Sequence, residues 1–592
     1  MLVRGPGEDD AMSSEKSMWD VVIIGGGPGG STTAALLKKY APELSVLILE
    51  KDRFPRDHIG ESQLPPVSRI LVEMGVWDKV EAVQFPIKFG ATYTWGKTTE
   101  PWTFGFIPAE EIPKDYQRPG KWEGWRQKVA LQVDRAVYDK ILLDHAASMG
   151  CEVREGVKVI GVDHAEDSVN RLRLSDGTEV NARYYVDASG NAAVIRRELG
   201  VKVNAPQLLK NIAFWDYWTG ENMNGPIWEG GATRIHIRST AYGWIWYIAL
   251  GLDKTSVGLV CNADYYKKLA KDPEDLYDEA IRSDPLVLKL IGEGKPRGQL
   301  DSTTDWSYVA ERAFGKNWFL CGESLGFADP ILSAGMTLTH TCAQQLAYTI
   351  VALERGEHTR QWLLDQYQDI QLKRVQQHIR FADYWYTGNG LFSAIQENCS
   401  KIAKESGLLL SPAEAFRWLS NGGIDDIVGQ FVLGGLDVAG VKGVQRRLNH
   451  ATEKDVAFQI SGKNWFKLNL IGAKSTTIAS MQNGRIIAVP AYARGDRLLA
   501  LAGGYKLTVD ILRTTFDAQG INQKLIAAVQ AAASPSEAEH VYRQTIQCME
   551  AMAANGWITC EFRAGKPTLN IEVPKEGKII FTAEAGPYAK EA

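Results

Sequence analysis

Three glycines near the start of the chain have the spacing of a phosphate-binding turn. In WDVVIIGGGPGGSTTAALLKKYAPELSVLILE, residues 19 to 50, Gly25, Gly27 and Gly30 follow a short apolar strand and open a helical pattern. Gly25 permits the tight turn, Gly27 lets the backbone approach a pyrophosphate, and Gly30 lets helix and strand pack closely. Glu50 ends the next strand, where its carboxylate can accept hydrogen bonds from ribose hydroxyls. The pattern predicts a dinucleotide-binding βαβ unit whose helix N-terminus faces the phosphates.

The composition limits what surrounds this unit. The chain has 592 residues, 45% of them hydrophobic, and a net charge of -5, which predicts two or three domains and argues against a protein that binds nucleic-acid backbones. Seven cysteines without CxxC or metal-ligand spacing fit a reduced cytoplasm, and no metal site is expected. No apolar run reaches membrane-spanning length, so no membrane contact is expected. Residues 1–18 lack the hydrophobic core of a signal peptide and are expected to form a disordered tail.

Three further segments place acids and an arginine where such a site would need them. VDASG carries Asp187 at a turn after a strand, NWFLCGESLGFADPILSAG carries Glu323 and Asp329, and QVDRAVYDKILLDHAASMG carries Arg135 at the head of an amphipathic helix. Together they resemble the FAD signatures of the glutathione-reductase-like flavoproteins, the aromatic hydroxylase class. The third signature departs from that class, because Glu323 stands where an aspartate is usual. The resemblance implies that FAD is the cofactor and that four residues contact it: Arg135, Asp187, Glu323 and Asp329.

Two other segments resemble the flavin-dependent halogenases. They are FPRDHIGESQLP, residues 54–65, and GWIWYIAL, in which Trp244 and Trp246 stand at the period of a strand and should face one side. The second segment resembles the family's Trp-x-Trp-x-Ile-Pro element, with Ala249 in place of the proline. The resemblance covers about residues 19–380. It implies a halogenase that uses reduced FAD and O2 to oxidise chloride or bromide to hypohalous acid at the flavin, while the tryptophans keep the organic substrate away. Two core tryptophans without that role are the alternative.

Lys88 is the candidate for passing the oxidised halogen to the substrate. In FPIKFGATYTWG, period two puts Lys88 on one strand face and, on the opposite face, Phe85, Ile87, Phe89, Ala91, Tyr93 and Trp95. A lysine on such a strand is usually solvated, but its position after HIGES matches the relay lysine of the family. The resemblance implies that Lys88 hydrogen-bonds hypohalous acid or forms a haloamine. Both routes require a partly desolvated amine, since burial favours the neutral form.

The segment DPILSAGM bears on the halide and the substrate. Leu332 occupies the position at which enzymes that halogenate free tryptophan carry a glutamate, so the resemblance favours the phenol-like, pyrrole-like or carrier-protein-substrate branch. Ser333 is a candidate catalytic partner of Lys88 or of the oxidant. The amides of Ala334 and Gly335 match the family's halide-binding positions, where small residues let a backbone approach an ion.

The fold class expected is α/β, with an FAD-binding Rossmann-like domain and a mixed-sheet substrate domain within residues 19–380. Residues 381–451 are expected to be helical. Residues 452–592 are expected to form a winged-helix-like module, in which helical segments lead to a hairpin in TCEFRAGKPTLNIEV. The last helix of this module is acidic, so nucleic acid is not an expected partner.

The expected partners are a separate flavin reductase and a small aromatic or carrier-protein-tethered substrate, in the cytoplasm. Two alternatives remain open. A flavin-dependent aromatic hydroxylase of the same fold would use Trp244 and Trp246 only to shape its pocket. A non-catalytic flavin-binding regulator would have no need for Lys88.

Overall fold

The computed structural model describes most of the chain. The described residues are 18–96, 100–107, 111–113, 115–205, 210–224, 232–304, 306–387, 442–443, 457–495, 497–530, 535–569 and 580–582. The predicted tail lies outside this set except for residue 18. The predicted helical region 381–451 lies mostly outside it as well.

A parallel sheet with its helices forms the first part of the fold. The elements of residues 19–198, which also include strands of other sheets, are β1 (Trp19–Ile24), α1 (Pro28–Tyr40), β2 (Val46–Glu50), α2 (Pro65–Met74), α3 (Trp77–Ala82), β3 (Ile87–Thr94), β4 (Trp102–Gly105), β5 (Ala130–Leu131), α4 (Arg135–Ser148), β6 (Glu152–Glu155), β7 (Val159–Ala165), β8 (Ser168–Leu174), β9 (Glu179–Val180), β10 (Ala182–Asp187) and α5 (Val194–Glu198). β1 and β2 are runs of buried Val, Ile and Leu because helices cover the sheet, with α1 packed against α4.

A larger mixed sheet follows. Its elements and those around it are β11 (Val203–Asn204), β12 (Asn211–Thr219), β13 (Ala232–Ser239), β14 (Trp244–Ala249), β15 (Lys254–Asn262), α6 (Ala263–Leu269), α7 (Pro273–Arg282), α8 (Pro285–Ile291), β16 (Lys295–Pro296), β17 (Asp301–Thr304), β18 (Tyr308–Ala310), β19 (Trp318–Leu320), β20 (Gly326–Phe327), α9 (Gly335–Arg355) and α10 (Arg360–Thr387). The parallel sheet has the order β19-β10-β1-β2-β6, and the mixed sheet runs β16-β12-β15-β14-β13-β3-β4 with β3 and β13 parallel. The predicted α/β class with an FAD-domain sheet and a mixed substrate sheet is confirmed.

The C-terminal part returns to the mixed sheet. Its elements are β21 (Trp465–Leu468), β22 (Lys474–Gln482), β23 (Arg485–Arg494), β24 (Arg497–Ala500), α11 (Gly503–Leu512), α12 (Ala518–Val529), α13 (Pro535–Ala554), β25 (Ile558–Glu561) and β26 (Ile580–Thr582). β26 pairs with β4 at the end of the mixed sheet. Side chains of α11, α12 and α13 share one apolar core with β14. The C-terminal residues therefore pack on the substrate sheet.

The predicted hairpin in TCEFRAGKPTLNIEV, residues 559–573, lies partly outside the described residues, which end at residue 569 in this segment. β25 pairs with β21, almost a hundred residues earlier, and Leu569 forms a bridge with Lys463. The strand that β25 pairs with is therefore separated from it in the chain by three helices, and a local turn pattern does not reveal such a pairing. β22, β23 and β24 form an antiparallel meander that the sequence did not predict. Among the described residues, no helix is long and apolar enough to cross a membrane.

Candidate active site

The loop between β1 and α1 has the geometry of a pyrophosphate cradle. Gly25 has φ +106°, and a Cβ there would lie 2.3 Å from the carbonyl oxygen of Ala188. A Cβ at Gly30 would lie 1.9 Å from the carbonyl oxygen of Gly25, so helix and loop pack at backbone contact. At Gly27 the only heavy atom within 4 Å, among those described, would be Arg56 Nη2 at 3.5 Å. The fold therefore requires glycine at positions 25 and 30, whereas Gly27 leaves a space beside the guanidinium of Arg56.

Glu50 lies at the carboxyl end of β2 and fixes this loop. Its side chain is buried, and Oε2 accepts a hydrogen bond of 2.7 Å from the amide of Gly26, while Oε1 accepts one of 2.9 Å from Asp52. No side chain caps the N-terminus of α1, which begins after Gly27. Free amides, an open cradle and a carboxylate at the neighbouring strand end fit the pyrophosphate and ribose of FAD. A ribose contact by Glu50 stays a prediction.

Arg135 is buried at the first position of α4. Its Nε and Nη2 donate to the two carboxylate oxygens of Asp139 at 2.7 and 2.9 Å, and its Nη1 donates to the carbonyl oxygen of Ile59 at 2.9 Å. Asp139 also lies 3.5 Å from Arg56 Nη1, and Arg56 reaches the cradle at Gly27. Arg135 therefore anchors the HIGES segment beside the cradle, and its contact with FAD stays a prediction.

Asp187 and Glu323 lie at the same sheet edge. Asp187 ends β10 beside Ile24, and its buried carboxylate accepts hydrogen bonds from the hydroxyl of Ser189 at 2.6 Å and the amide of Ile195 at 2.8 Å. Burial raises the pKa of Asp187, although these hydrogen bonds act in the opposite direction. Glu323 lies in a 3-10 turn, with Oε2 3.8 Å from where a Cβ on Gly190 would be. The surrounding protein raises the pKa of Glu323, and the positive charge of Arg135 opposes that rise.

Lys88 is one of the largest fully buried side chains. It lies on β3 and is 2% exposed, and its Nζ lies 5.6 Å from the centre of the Phe106 ring. Burial lowers the pKa of Lys88 from 10.5 to about 7. The desolvated amine that the relay requires is therefore present, and the solvated surface lysine that a strand pattern alone favours is not.

The predicted alternation along β3 is wrong, because the strand bulges next to Lys88. Lys88 pairs with Thr233 and Gly90 with Arg234, so the register shifts by one residue at Phe89. An extra residue of this kind breaks the period of two. Ile87 and Phe89 consequently pack in the core of the FAD domain. The later apolar residues of the strand pattern, Ala91, Tyr93 and Trp95, pack in a second core. The six side chains do not share one face.

Trp244 and Trp246 lie in this second core, which we call the tryptophan cluster. It contains their two indoles, 6.0 Å apart, together with Tyr93 and Leu332. A Cβ on Gly258 would lie 2.1 Å from the indole of Trp246, so this indole lies flat across β15. Phe106, which Lys88 faces, packs against the same cluster. The structure thus brings the two tryptophans to one side of β14, with Lys88 nearby.

Asp329 is turned toward the tryptophan cluster. Its Oδ1 accepts a hydrogen bond of 3.1 Å from the hydroxyl of Tyr386, and its Oδ2 accepts one of 3.1 Å from the indole of Trp306. The Tyr386 hydroxyl in turn accepts a hydrogen bond of 2.8 Å from Trp244 Nε1. Burial raises the pKa of Asp329 to about 6, and burial together with the charge of Asp329 raises that of Asp383 to about 7. A contact of Asp329 with FAD stays a prediction.

Ser333 follows the 3-10 turn Pro330–Leu332 in a left-handed conformation, with φ +56°. A non-glycine residue costs about 1–3 kcal/mol in such a conformation, and these residues concentrate at functional sites. Ala334 is buried, and Gly335 begins α9 with Phe327 so close that a Cβ would lie 2.7 Å from its ring. The amides of these two residues open a helix of 21 residues, where an anion is favoured. The turn joins the tryptophan cluster through Leu332.

Glu61 is a site residue that sequence reasoning missed. It is buried, and its Oε1 accepts a hydrogen bond of 3.0 Å from the hydroxyl of Tyr217. Burial raises the pKa of Glu61, and a hydrogen bond from Ser256 opposes the rise. The same Ser256 hydroxyl accepts a hydrogen bond of 3.1 Å from Trp246 Nε1. The only sequence signal that could have identified Glu61 was its position within the HIGES segment. Among the described residues, no three His, Cys, Asp or Glu side chains group as ligands for a metal ion.

Comparison with known proteins identifies the family. The family model described as FAD binding domain matches residues 18–382. A 1H-pyrrole-2-carbonyl-[peptidyl-carrier protein] brominase of Pseudoalteromonas luteoviolacea (strain 2ta16) is 30% identical over 328 residues, which are 55% of this chain and 75% of that protein. The chain belongs to the flavin-dependent halogenase family. A tryptophan 2-halogenase of Chondromyces crocatus is 31% identical over 320 residues, 53% of this chain and 57% of that protein, so the chain spans little more than half of that relative.

The fold likeness of this halogenase-family chain extends into its C-terminal part. The crystal structure of CmlS, a flavin-dependent halogenase, superposes with a TM-score of 0.70 at 23% identity, covering 95% of this chain and 99% of that chain. This likeness concerns the fold alone. The superposition covers nearly the whole chain and therefore includes the part in which α11, α12 and α13 pack on the substrate sheet.

Proposed function

We propose that the protein oxidises chloride or bromide to hypohalous acid and that Lys88 relays the halogen to an electron-rich organic substrate. When bound in its reduced form, which a separate reductase would supply, FAD provides the reaction with O2 that oxidises the halide. The observation that carries the proposal is the fully buried amine of Lys88 beside the tryptophan cluster. The reaction of an aromatic hydroxylase does not require such an amine.

The amine of Lys88 can act on hypohalous acid in two ways. With a pKa of about 7, comparable fractions of the amine are neutral and protonated near neutral pH. The neutral amine can attack the halogen, so that a nitrogen–halogen bond forms and the oxygen–halogen bond breaks, and the leaving hydroxide takes a proton from the nitrogen and departs as water. The protonated amine can instead donate a hydrogen bond to the oxygen of hypohalous acid and leave the halogen directed at the substrate. The two routes depend on pH in opposite directions.

Trp244 and Trp246 would separate the organic substrate from the flavin. Both indoles are buried, and both N–H groups are held, by Tyr386 and Ser256 respectively. Rigid aromatic groups of this kind exclude water and larger molecules. We assign the halide to the amides of Ala334 and Gly335, with Ser333 beside them, because a helix N-terminus favours an anion.

The substrate class follows from the apolar side chain of Leu332 and from the relatives. Leu332 packs among tryptophans and offers no carboxylate to an amino acid. The brominase of Pseudoalteromonas luteoviolacea acts on a pyrrole carried by a peptidyl-carrier protein. We therefore propose a phenol-like, pyrrole-like or carrier-protein-tethered substrate.

The test is a halogenation assay with reduced FAD, O2 and bromide, in which product from monochlorodimedone and phenol is measured by mass spectrometry. Brominated product that requires bromide and reduced FAD is expected. Hydroxylated phenol that forms equally well without bromide would favour the hydroxylase instead. Bound FAD with no O2 consumption beyond that of free reduced FAD would refute any catalytic role and favour a flavin-binding regulator.

A further inference from the structure

The indoles of Trp244 and Trp246 form what we call the tryptophan barrier. A buried hydrogen-bond chain joins this barrier to α10 and to the turn that precedes Ser333. Trp244 Nε1 on β14 donates to the Tyr386 hydroxyl at 2.8 Å, and this hydroxyl donates to Asp329 Oδ1 at 3.1 Å. Tyr386 stands at the end of α10, and Asp329 precedes the turn that leads to Ser333. The strand, the helix and the turn thus meet at one phenolic hydroxyl.

The Tyr386 hydroxyl accepts one of these hydrogen bonds and donates the other, and the direction of each is fixed. A phenol hydroxyl has one proton, and the ionised carboxylate of Asp329 can only accept, so the proton lies toward Asp329 and a lone pair lies toward Trp244. Asp329 is held in turn by the indole of Trp306 and by the amide of Ile331 at 2.9 Å. The Tyr386 hydroxyl therefore supplies the acceptor that the buried indole N–H of Trp244 requires.

We infer that Tyr386, oriented by Asp329, is a positioning residue that holds the Trp244 indole in the barrier and so limits the escape of hypohalous acid. The inference rests on the proposed function, because it requires that Trp244 separates two compartments. We assign Tyr386 no direct part in the reaction, because it acts through its hydrogen bond to Trp244.

The Tyr386→Phe variant tests the inference, because it keeps the ring and removes only the hydroxyl. Tyr277→Phe is a matched control: the Tyr277 hydroxyl also accepts a hydrogen bond from an indole, that of Trp218 at 3.0 Å, but lies in a separate core. Each variant loses two hydrogen bonds, because the Tyr386 hydroxyl also donates to Asp329 Oδ1 and the Tyr277 hydroxyl also donates to the carbonyl oxygen of Val257 at 2.9 Å, so a general loss of stability affects both. Thermal unfolding shows whether both remain folded.

The first readout is the position of Trp244 itself. In protein labelled with 5-fluorotryptophan, the 19F signals of Trp244 and Trp246 are assigned with Trp244→Phe and Trp246→Phe. We expect Tyr386→Phe to shift or broaden the Trp244 signal while the Trp246 signal, whose N–H is bound to Ser256, stays in place. Tyr277→Phe should move neither signal. An unchanged Trp244 signal in Tyr386→Phe would overturn the inference whatever reaction the protein catalyses.

The second readout is the escape of hypohalous acid. Monochlorodimedone in solution is brominated by released hypobromous acid, and its bromination is divided by the reduced FAD oxidised under the same conditions. Loss of one buried hydrogen bond corresponds to about a fivefold change in the population of the held indole. We therefore expect about a fivefold rise of this ratio in Tyr386→Phe and no rise in Tyr277→Phe. A moved 19F signal with an unchanged ratio would overturn the inference, whereas a wild-type protein that never brominates any probe would refute the proposed function.

Discussion

Replacement of Lys88 tests whether its amine is buried as the structure has it. Its pKa falls from 10.5 to about 7 because of burial, and at about 1.4 kcal/mol for each factor of ten, burial disfavours the protonated form by about 5 kcal/mol. Between pH 7 and 10.5, the unfolded chain keeps this proton and the folded chain does not. Since the unfolded state then binds more protons, the contribution of Lys88 to the free energy of unfolding increases as pH rises through this window.

Lys88→Met removes the titrating group and keeps a side chain of similar length. We expect the difference in unfolding free energy between wild type and Lys88→Met to change in favour of wild type by about 3.5 kcal/mol as pH rises from 7 to 10. Below pH 7 both states of the wild type are protonated, so the difference should be constant there. Denaturant titrations at several pH values measure it, and Lys467→Met, at an exposed lysine of β21, is the control. Parallel pH profiles for wild type and Lys88→Met would refute the burial argument.

The same variants test the relay. Lys88→Ala and Lys88→Met should bind FAD and oxidise reduced FAD as the wild type does, because these steps precede the transfer, while the halogenated product disappears. Lys88→Arg should also fail if a haloamine forms, since a guanidinium stays protonated and cannot act as an amine nucleophile. Product is measured by mass spectrometry beside O2 consumption, with one reductase for all variants. Halogenation by Lys88→Ala at near the wild-type rate would refute the relay.

Three other predictions follow from the geometry. Gly27→Leu should abolish FAD binding in equilibrium dialysis by filling the cradle, and undiminished affinity would contradict the assignment. Gly30→Ala should instead lower the melting temperature, because its Cβ would lie 1.9 Å from a carbonyl oxygen; an unchanged melting temperature would show that helix and loop can separate. Residues 452–592 should not bind duplex DNA in anisotropy titrations at low salt, and salt-sensitive binding tighter than about micromolar would contradict this.

The FAD-binding edge could be predicted because its signal is local. The glycines, α1 and Glu50 follow one another within 32 residues, and steric limits at Gly25 and Gly30 leave few alternatives to the residues found there. The hydrogen-bond chain of the tryptophan barrier could not be predicted in this way. Tyr386 lies 142 residues from Trp244 and 57 from Asp329, and no spacing rule connects them. The sequence assigned Asp329 to the cofactor because of the flavin signature around it, and this contact with FAD stays a prediction.

Lys88 is buried as the relay would require, although the local strand pattern predicted for it was wrong. Period two assigned one apolar face to the whole of β3, but the bulge at Phe89 divides that set between the core of the FAD domain and the tryptophan cluster. A regular strand would have kept its apolar residues in one core, with Lys88 on the other face. Both faces of β3 are buried along almost the whole strand, and the change of cores occurs beside Lys88. Lys88 is therefore buried next to the bulge, between the core of the FAD domain and the tryptophan cluster, and the proposed relay depends on this burial.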